Sequence, residues 1–162
     1  MHFNISLLSE TRYGHEEFVR FVQSLDTEFV PPLSSFVSIP EYCAKLESLG
    51  QVYLASRFDT VLGVIAFYCN DMVAYRSYIS YCAVRSEGRR LGIGLQLVLA
   101  AIEHAQLCSM KEIHVRTWKD NKAALRMYQR AGFVVRAEKL DRADDSMSVH
   151  LSRSLVPVDH PQ

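Results

Sequence analysis

The chain has 162 residues, 49% of them hydrophobic, with eighteen basic side chains balancing eighteen acidic ones. That length fits one domain with a real core, and a neutral total gives no bulk charge for holding nucleic acid. Four cysteines without a C-x-x-C pair, and no histidine pair at zinc spacing beside them, give no metal-site pattern. Met1–Glu10 lacks a basic start followed by an apolar run, and no stretch approaches the roughly 20 apolar residues of a membrane span. A reduced, cytoplasmic chain that contacts neither membrane nor nucleic acid is expected.

His2–Leu8 alternates apolar and polar residues and predicts a strand. Gly14–Leu25 carries Phe18, Val19, Phe21, Val22 and Leu25 at helical spacing. Asp26–Ile39, with Pro31 and Pro32, reads as loop, and Pro40–Leu49 as a short helix with proline at its start and Gly50 at its end. Gln51–Arg57 and Leu62–Cys69 are β-type runs joined as a hairpin. Tyr78–Val84 predicts the next strand, and Gly92–Cys108 a helix about 25 Å long at 1.5 Å per residue. Glu112–Thr117 reads as strand, Asn121–Ala131 as a helix stopped by Gly132, and Phe133–Glu138 and Ser146–Ser152 as two closing strands. The order is β-α-α-β-β-β-α-β-α-β-β. It implies an α/β fold of the α+β kind, a mixed, partly parallel sheet covered by helices, in one domain over 1–153 with a polar tail over 154–162.

Charge is unevenly placed. Residues 1–84 hold five basic and nine acidic side chains, residues 85–136 ten and four, and residues 137–162 three and five. The basic block includes the end of Tyr78–Gly94, where an apolar strand runs into Arg89-Arg90-Leu91-Gly92-Ile93-Gly94 and a long helix begins. Glycines permit positive φ and close approach of a ligand. The first amides of a helix lack internal partners and lie at the positive end of its dipole, so an anion binds there. Two arginines add full charges. A dinucleotide fingerprint wants glycine at position 97, which is Leu97, and a P-loop wants Gly-Lys-Ser/Thr, which is absent.

Arg89-x-x-Gly92-x-Gly94 resembles the coenzyme A signature of the GCN5-related N-acetyltransferases, Arg/Gln-x-x-Gly-x-Gly/Ala. Asn121-x-x-Ala124-x-x-Met127-Tyr128-x-x-x-Gly132-Phe133 is similar to that family's second motif. The resemblance covers roughly residues 51–149. It implies that the amides of residues 89–94 hold the pyrophosphate of acetyl coenzyme A, and that Cys82, Ala83 and Val84 pair with the pantetheine arm as an added strand would. It implies that Asn121 contacts the cofactor besides capping its helix. It also gives Tyr128 the task of donating a proton or hydrogen bond to the departing thiolate.

For stabilising the developing oxyanion, the resemblance points to the amide of Cys82 or its neighbour on a splayed, bulged strand. For removing the amine's proton, His114 is the candidate, because imidazole titrates in the right range; Tyr81, Glu28 and water relays stay open. Two features depart from the family pattern: Arg90 stands where glycine is frequent, and Trp118-Lys119-Asp120 lengthens the link to Asn121. The expected reaction is acetylation of a primary amine on a small molecule, an amino sugar being one candidate. Acetylation of protein N-termini or lysines, and a non-catalytic acyl coenzyme A-binding module, are the alternatives. Relatives often dimerise through their last strands, so a homodimer is an open expectation.

Overall fold

In the computed structural model, residues 2–140 and 146–156 are described. The elements follow the predicted order: β1 Asn4–Leu7, α1 His15–Ser24, α2 Ile39–Leu49, β2 Gln51–Arg57, β3 Thr60–Asp71, β4 Arg76–Val84, α3 Ile93–Leu107, β5 Glu112–Trp118, α4 Lys122–Arg130, β6 Val134–Leu140 and β7 Met147–Ser154. They build one seven-stranded sheet of order β1-β2-β3-β4-β5-β7-β6. Every ladder is antiparallel except β4–β5, which is parallel. A parallel pair needs a crossover, and here α3 supplies it.

The predicted loop over 26–39 holds two short 3-10 turns, Asp26–Glu28 and Leu33–Ser35. β3 and β4 extend two residues further toward their shared hairpin than apolar composition shows. The added residues, Asn70, Asp71, Arg76 and Ser77, are all polar. The β2–β3 hairpin turns on Phe58 and Asp59, both with positive φ (46° and 63°). That is the handedness a two-residue hairpin loop demands. Of the expected tail over 154–162, residues 157–162 lie outside the described residues.

Each face of the sheet has its own core. On one face Ile65, Phe67, Ile79, Ile113, Val115 and Leu151 pack beneath α3 and α4 against Leu97, Val98, Tyr128 and Phe133. On the other, Leu54, Val64, Ala66 and Tyr81 pack beneath α1 and α2 against Phe18, Phe21, Cys43 and Leu46. Gly63 lets α3 lie close: a Cβ there would stand 2.9 Å from Ile93 Cγ2 and 3.0 Å from Leu97 Cδ1.

One irregularity in β4 shapes everything that follows. Tyr81 pairs with Ala66 and Ile79 with Phe67, so Ser80 is an extra residue, a β-bulge. Side chains alternate along a regular strand, so Tyr81 would otherwise share a face with Ile79. The bulge instead sends Tyr81 into the α1/α2 core and turns Cys82 and Val84 toward α3 and α4. Tyr42 of α2 holds the bulge: its hydroxyl lies 2.7 Å from Ser80 Oγ and donates to the Ser80 carbonyl at 3.2 Å.

Candidate functional site

The parallel ladder runs from Arg76↔Glu112 to Ile79↔Val115 and ends at the bulge. Beyond it the strands part. Ser80–Val84 and Arg116–Trp118 line a cleft of about 1000 Å³, with Glu28, Phe29, Val30, Leu33 and Tyr42 at the α1–α2 side and Asn121, Ala123, Ala124, Met127 and Tyr128 at the α4 side. On the side facing the cleft, β4 beyond Ile79 has no strand partner, so backbone groups of the Cys82–Val84 segment are open to a ligand chain there.

At the end of β4 the chain turns through Ser86–Gly88 and reaches α3. Arg90 and Gly92 both adopt positive φ, 63° and 76°. Gly92 is the N-cap of α3, and no side chain caps that start. The first intrahelical bond is Gln96 N–H to the Gly92 carbonyl, 3.0 Å, so the amides of Ile93, Gly94 and Leu95 have no partner within the helix. The space a Gly92 Cβ would enter is empty to 4 Å. Gly94 has a different reason: a Cβ there would lie 2.7 Å from Met127 Sδ, so it lets α4 close on α3. The Ile93 side chain is buried, which leaves that residue its backbone to offer.

Arg89 stands on the cleft wall. Its Nε donates to the Val84 carbonyl at 3.1 Å, and one terminal nitrogen donates to Glu28 Oε2 at 2.7 Å. Trp118 Nε1 donates to the Val30 carbonyl. The α1–α2 segment is therefore tied at Glu28 to the approach to α3 and at Val30 to the end of β5. It crosses the mouth of the cleft as a strap. Arg90 is exposed and Leu91 half-buried beside it. Residues 90–94 border the cleft rather than line it.

Cys82 and Tyr128 meet at the cleft wall. Burial pushes the Cys82 thiol up to about 12, and a hydrogen bond from Tyr128 draws it partly back. Burial, then the neighbouring Cys82, holds the Tyr128 hydroxyl well above the usual phenol range. Both groups therefore keep their protons at neutral pH, and Tyr128 is available as a donor. Its ring rests on Phe133 at 5.4 Å and 60°, which fixes its orientation. Asn121 caps α4, accepting the Ala124 N–H at 3.2 Å, while its amide donates to Thr117 Oγ1 at 3.3 Å.

His114 is not brought to this group. It pairs with Tyr78 in the closed part of the β4–β5 ladder, below the point where the strands part. Its Nε2 bonds Glu112 Oε2 at 2.9 Å and its Nδ1 bonds His150 Nε2 at 2.8 Å. It lines a separate depression on the α1/α2 face. Tyr81 and Glu28 do line the cleft, but burial raises the Tyr81 hydroxyl far above the ordinary phenol range. Sequence reading missed Ser80, because a bulge leaves no mark in YISYC. It also missed Trp118 as an anchor; a lone indole between Thr117 and Lys119-Asp120 was the available signal. Among the described residues no three His, Cys, Asp or Glu side chains group as metal ligands would.

The model of the acetyltransferase (GNAT) family matches residues 18–133. The chain belongs to the GNAT family. GCN5-related N-acetyltransferase 6, a chloroplastic protein of Arabidopsis thaliana, is 33% identical over 69 residues, which is 42% of this chain and 24% of that protein. The match thus spans about a quarter of that relative's length. The NatC complex solved with Gag peptide and CoA superposes with TM-score 0.79 at 24% identity, over 96% of this chain and all of that one. A candidate streptothricin acetyltransferase from Bacillus anthracis, solved with acetyl coenzyme A, gives 0.60 at 24% identity over 65% and 62% of the two chains. At these identities the two structures establish the GNAT fold of this chain.

Proposed function

We propose that this GNAT protein transfers the acetyl group of acetyl coenzyme A to a primary amine of a small molecule, by direct attack within a ternary complex. The observation that carries the reading is the parting of β4 and β5 beside the uncapped start of α3, with Tyr128 on the cleft wall. The residues fit the cosubstrate. Arg89 and the amides of Arg90, Leu91, Gly92, Ile93 and Gly94 suit a pyrophosphate. The backbone of Cys82, Ala83 and Val84, open on the cleft side, suits the pantetheine amides. Asn121 lines the same cleft. The thioester supplies an activated acyl group, and the protein's share is placement and charge.

An amide of the Ser80–Cys82 segment donates to the carbonyl oxygen as negative charge builds there. Tyr128 donates its proton or hydrogen bond to the leaving sulfur. Glu28, the cleft carboxylate on the α1–α2 side, attracts the ammonium and takes up its proton through water, a role in which His114 is less well placed. The strap between Arg89 and Trp118 favours a compact acceptor over a polypeptide, which needs an open groove. The GNAT fold itself does not decide between them: one matched structure carries a peptide and another is described as a candidate streptothricin acetyltransferase.

The test is release of free CoA thiol from acetyl coenzyme A with a panel of amino sugars, polyamines and amino-terminal peptides. Turnover of the small amines alone supports the reading. Turnover of peptides alone overturns the acceptor class, and cofactor binding without any turnover leaves an acyl coenzyme A-binding module. The Cys43, Cys69, Cys82 and Cys108 thiols are all free, in keeping with the proposed cytoplasmic setting. The edge strand β6 exposes Val134, Val135 and Leu140, which supports the proposed homodimer; light scattering at the mass of one chain would remove it.

A further inference from the structure

The second depression, about 340 Å³, opens on the same sheet face as α1 and α2, on the part those helices leave uncovered, and is lined by residues of β3, β4, β5 and β7. Its ionised groups are unequally committed. Glu112 is spent twice: Arg76 Nε lies 3.2 Å and His114 Nε2 2.9 Å from the same carboxylate oxygen. Asp71 is turned to its own hairpin, accepting the Val73 and Ala74 N–H groups at 3.1 and 2.9 Å. The donors are less used. Among the described residues, the two terminal nitrogens of Arg76 and the hydroxyls of Tyr68 and Tyr78 have no hydrogen-bond partner, and all three residues line the depression.

The histidine pair completes the set. A carboxylate accepts from His114 Nε2–H, so His114 Nδ1 accepts from His150 Nε2–H across 2.8 Å. That leaves His150 Nδ1 without a protein partner among the described residues, and it becomes a donor when His150 gains a proton. The groups around His150 are His114, Arg116 and Glu112 on β5, Arg76 and Tyr78 on β4, and Arg136 on β6. Burial, then repulsion from His114 and from Arg116, Arg136 and Arg76, lowers its pKa. An anion seated among these cations reverses that repulsion.

We infer that this depression binds the anionic group, a phosphate or carboxylate, of the amine acceptor, with Arg76, Tyr68, Tyr78 and protonated His150 as donors. The inference rests on the acetyl-transfer reading for the acceptor's identity. The depression and the cleft are neighbours along both strands: Ser80 lies two residues beyond Tyr78 on β4, Arg116 lies two beyond His114 on β5 and pairs with His150, and both Ser80 and Arg116 line the cleft. From Tyr78 to Cys82 is four residues, roughly 13 Å at about 3.3 Å per residue. The acceptor therefore carries its anion several bonds from its amine, as a phosphorylated amino sugar does and an α-amino acid does not.

The test uses the whole chain without acetyl coenzyme A. Inorganic phosphate is titrated while the ring signals of the six histidines are followed by NMR, in wild type, Arg76→Gln and His150→Gln. The expected result is a saturable shift of His114 and His150, a rise in the His150 pKa with phosphate, tighter binding as pH falls through that pKa, and at least about tenfold weaker binding in Arg76→Gln. Signals of His114 and His150 that do not saturate, or that saturate equally in both substituted proteins, overturn the site. Phosphate binding without acetyl coenzyme A binding in calorimetry would leave the site standing and remove the acetyl-transfer reading instead. With turnover in hand, Arg76→Gln raises KM for anionic amines and not for acetyl coenzyme A. Noncompetitive inhibition by phosphate against the amine would make it a separate effector site and overturn the acceptor assignment.

Discussion

Gly92 separates backbone strain from ligand charge. Its φ of 76° lies in the left-handed region, and a Cβ built on it meets nothing within 4 Å. Gly92→Ala therefore costs the conformational penalty alone, about 1–2 kcal/mol, which lowers Tm by roughly 2–8 °C for a chain of this size. Gly92→Glu carries the same strain. Its carboxylate also sits at the positive end of the fifteen-residue helix α3, where an acidic side chain contributes about 0.3–1 kcal/mol. It should be no less stable than the alanine protein. Binding behaves differently, because the carboxylate occupies the anion's place and repels a second anion. Allowing for exposure and salt, about 1.5–3 kcal/mol is lost, or roughly ten- to a hundredfold in Kd. Calorimetric titration of acetyl coenzyme A into the three proteins, beside their melting curves, is the assay. Acetyl coenzyme A binding within twofold in all three would mean that the phosphates do not sit on this helix start.

Three further outcomes are expected. Tyr128→Phe lowers kcat about a hundredfold by removing the donor to the leaving sulfur, with Kd for acetyl coenzyme A little changed; equal kcat would end the assignment of that proton to Tyr128. Glu28→Ala frees Arg89 from a pair whose side chains are 49% and 42% exposed, so acetyl coenzyme A binds up to about fivefold more tightly, and calorimetry showing weaker binding would place Glu28 among the cofactor's own contacts. With its thiol raised to about 12, Cys82 carries thiolate on only about one molecule in ten thousand at pH 8. Mass spectrometry should find it unalkylated by iodoacetamide at pH 8, and labelling at the rate of an ordinary exposed thiol would contradict the raised pKa.

Periodicity revealed most elements because each helix buries one face in one of the two cores and the central strands bury residues in both, and the pattern of Phe18, Phe21 and Val22 or of Leu97, Val98 and Ala101 is the direct record of that burial. The record fails where polar residues occupy a strand: Arg76 and Ser77 open β4 unseen, although Ser77 is buried with its hydroxyl donating to the Tyr68 carbonyl at 2.6 Å. The α1–α2 segment read as bare loop because its prolines break any period. Ligand-directed reasoning gives Gly92 a use, but for Gly94 it leaves out the close approach of Met127, whose Sδ a Cβ there would meet at 2.7 Å. His114 was placed on the correct face of β5 by simple alternation, but position along the strand depends on where β4 leaves β5. That point is set by the bulge at Ser80, and no periodic signal carries it. The contact of Glu28 with Arg89 joins residues 61 apart, a separation at which sequence pattern is silent.

The bulge explains why the site needs so few side chains. A regular β4 would keep hydrogen-bonding β5 past Ile79, and the sheet would have no cleft. It would also point Cys82 at the α1/α2 core, away from Tyr128. One extra residue ends the parallel ladder and frees one edge of β4. It also reverses the facing of Tyr81 and Cys82. The hydroxyl of Tyr42 fixes this state by bonding both the carbonyl and the side chain of Ser80. The cleft on one side of the bulge and the histidine-lined depression on the other are thus consequences of one local choice in strand register. Loss of the bulge would remove the first and leave the second, since the Tyr78↔His114 pairing precedes it.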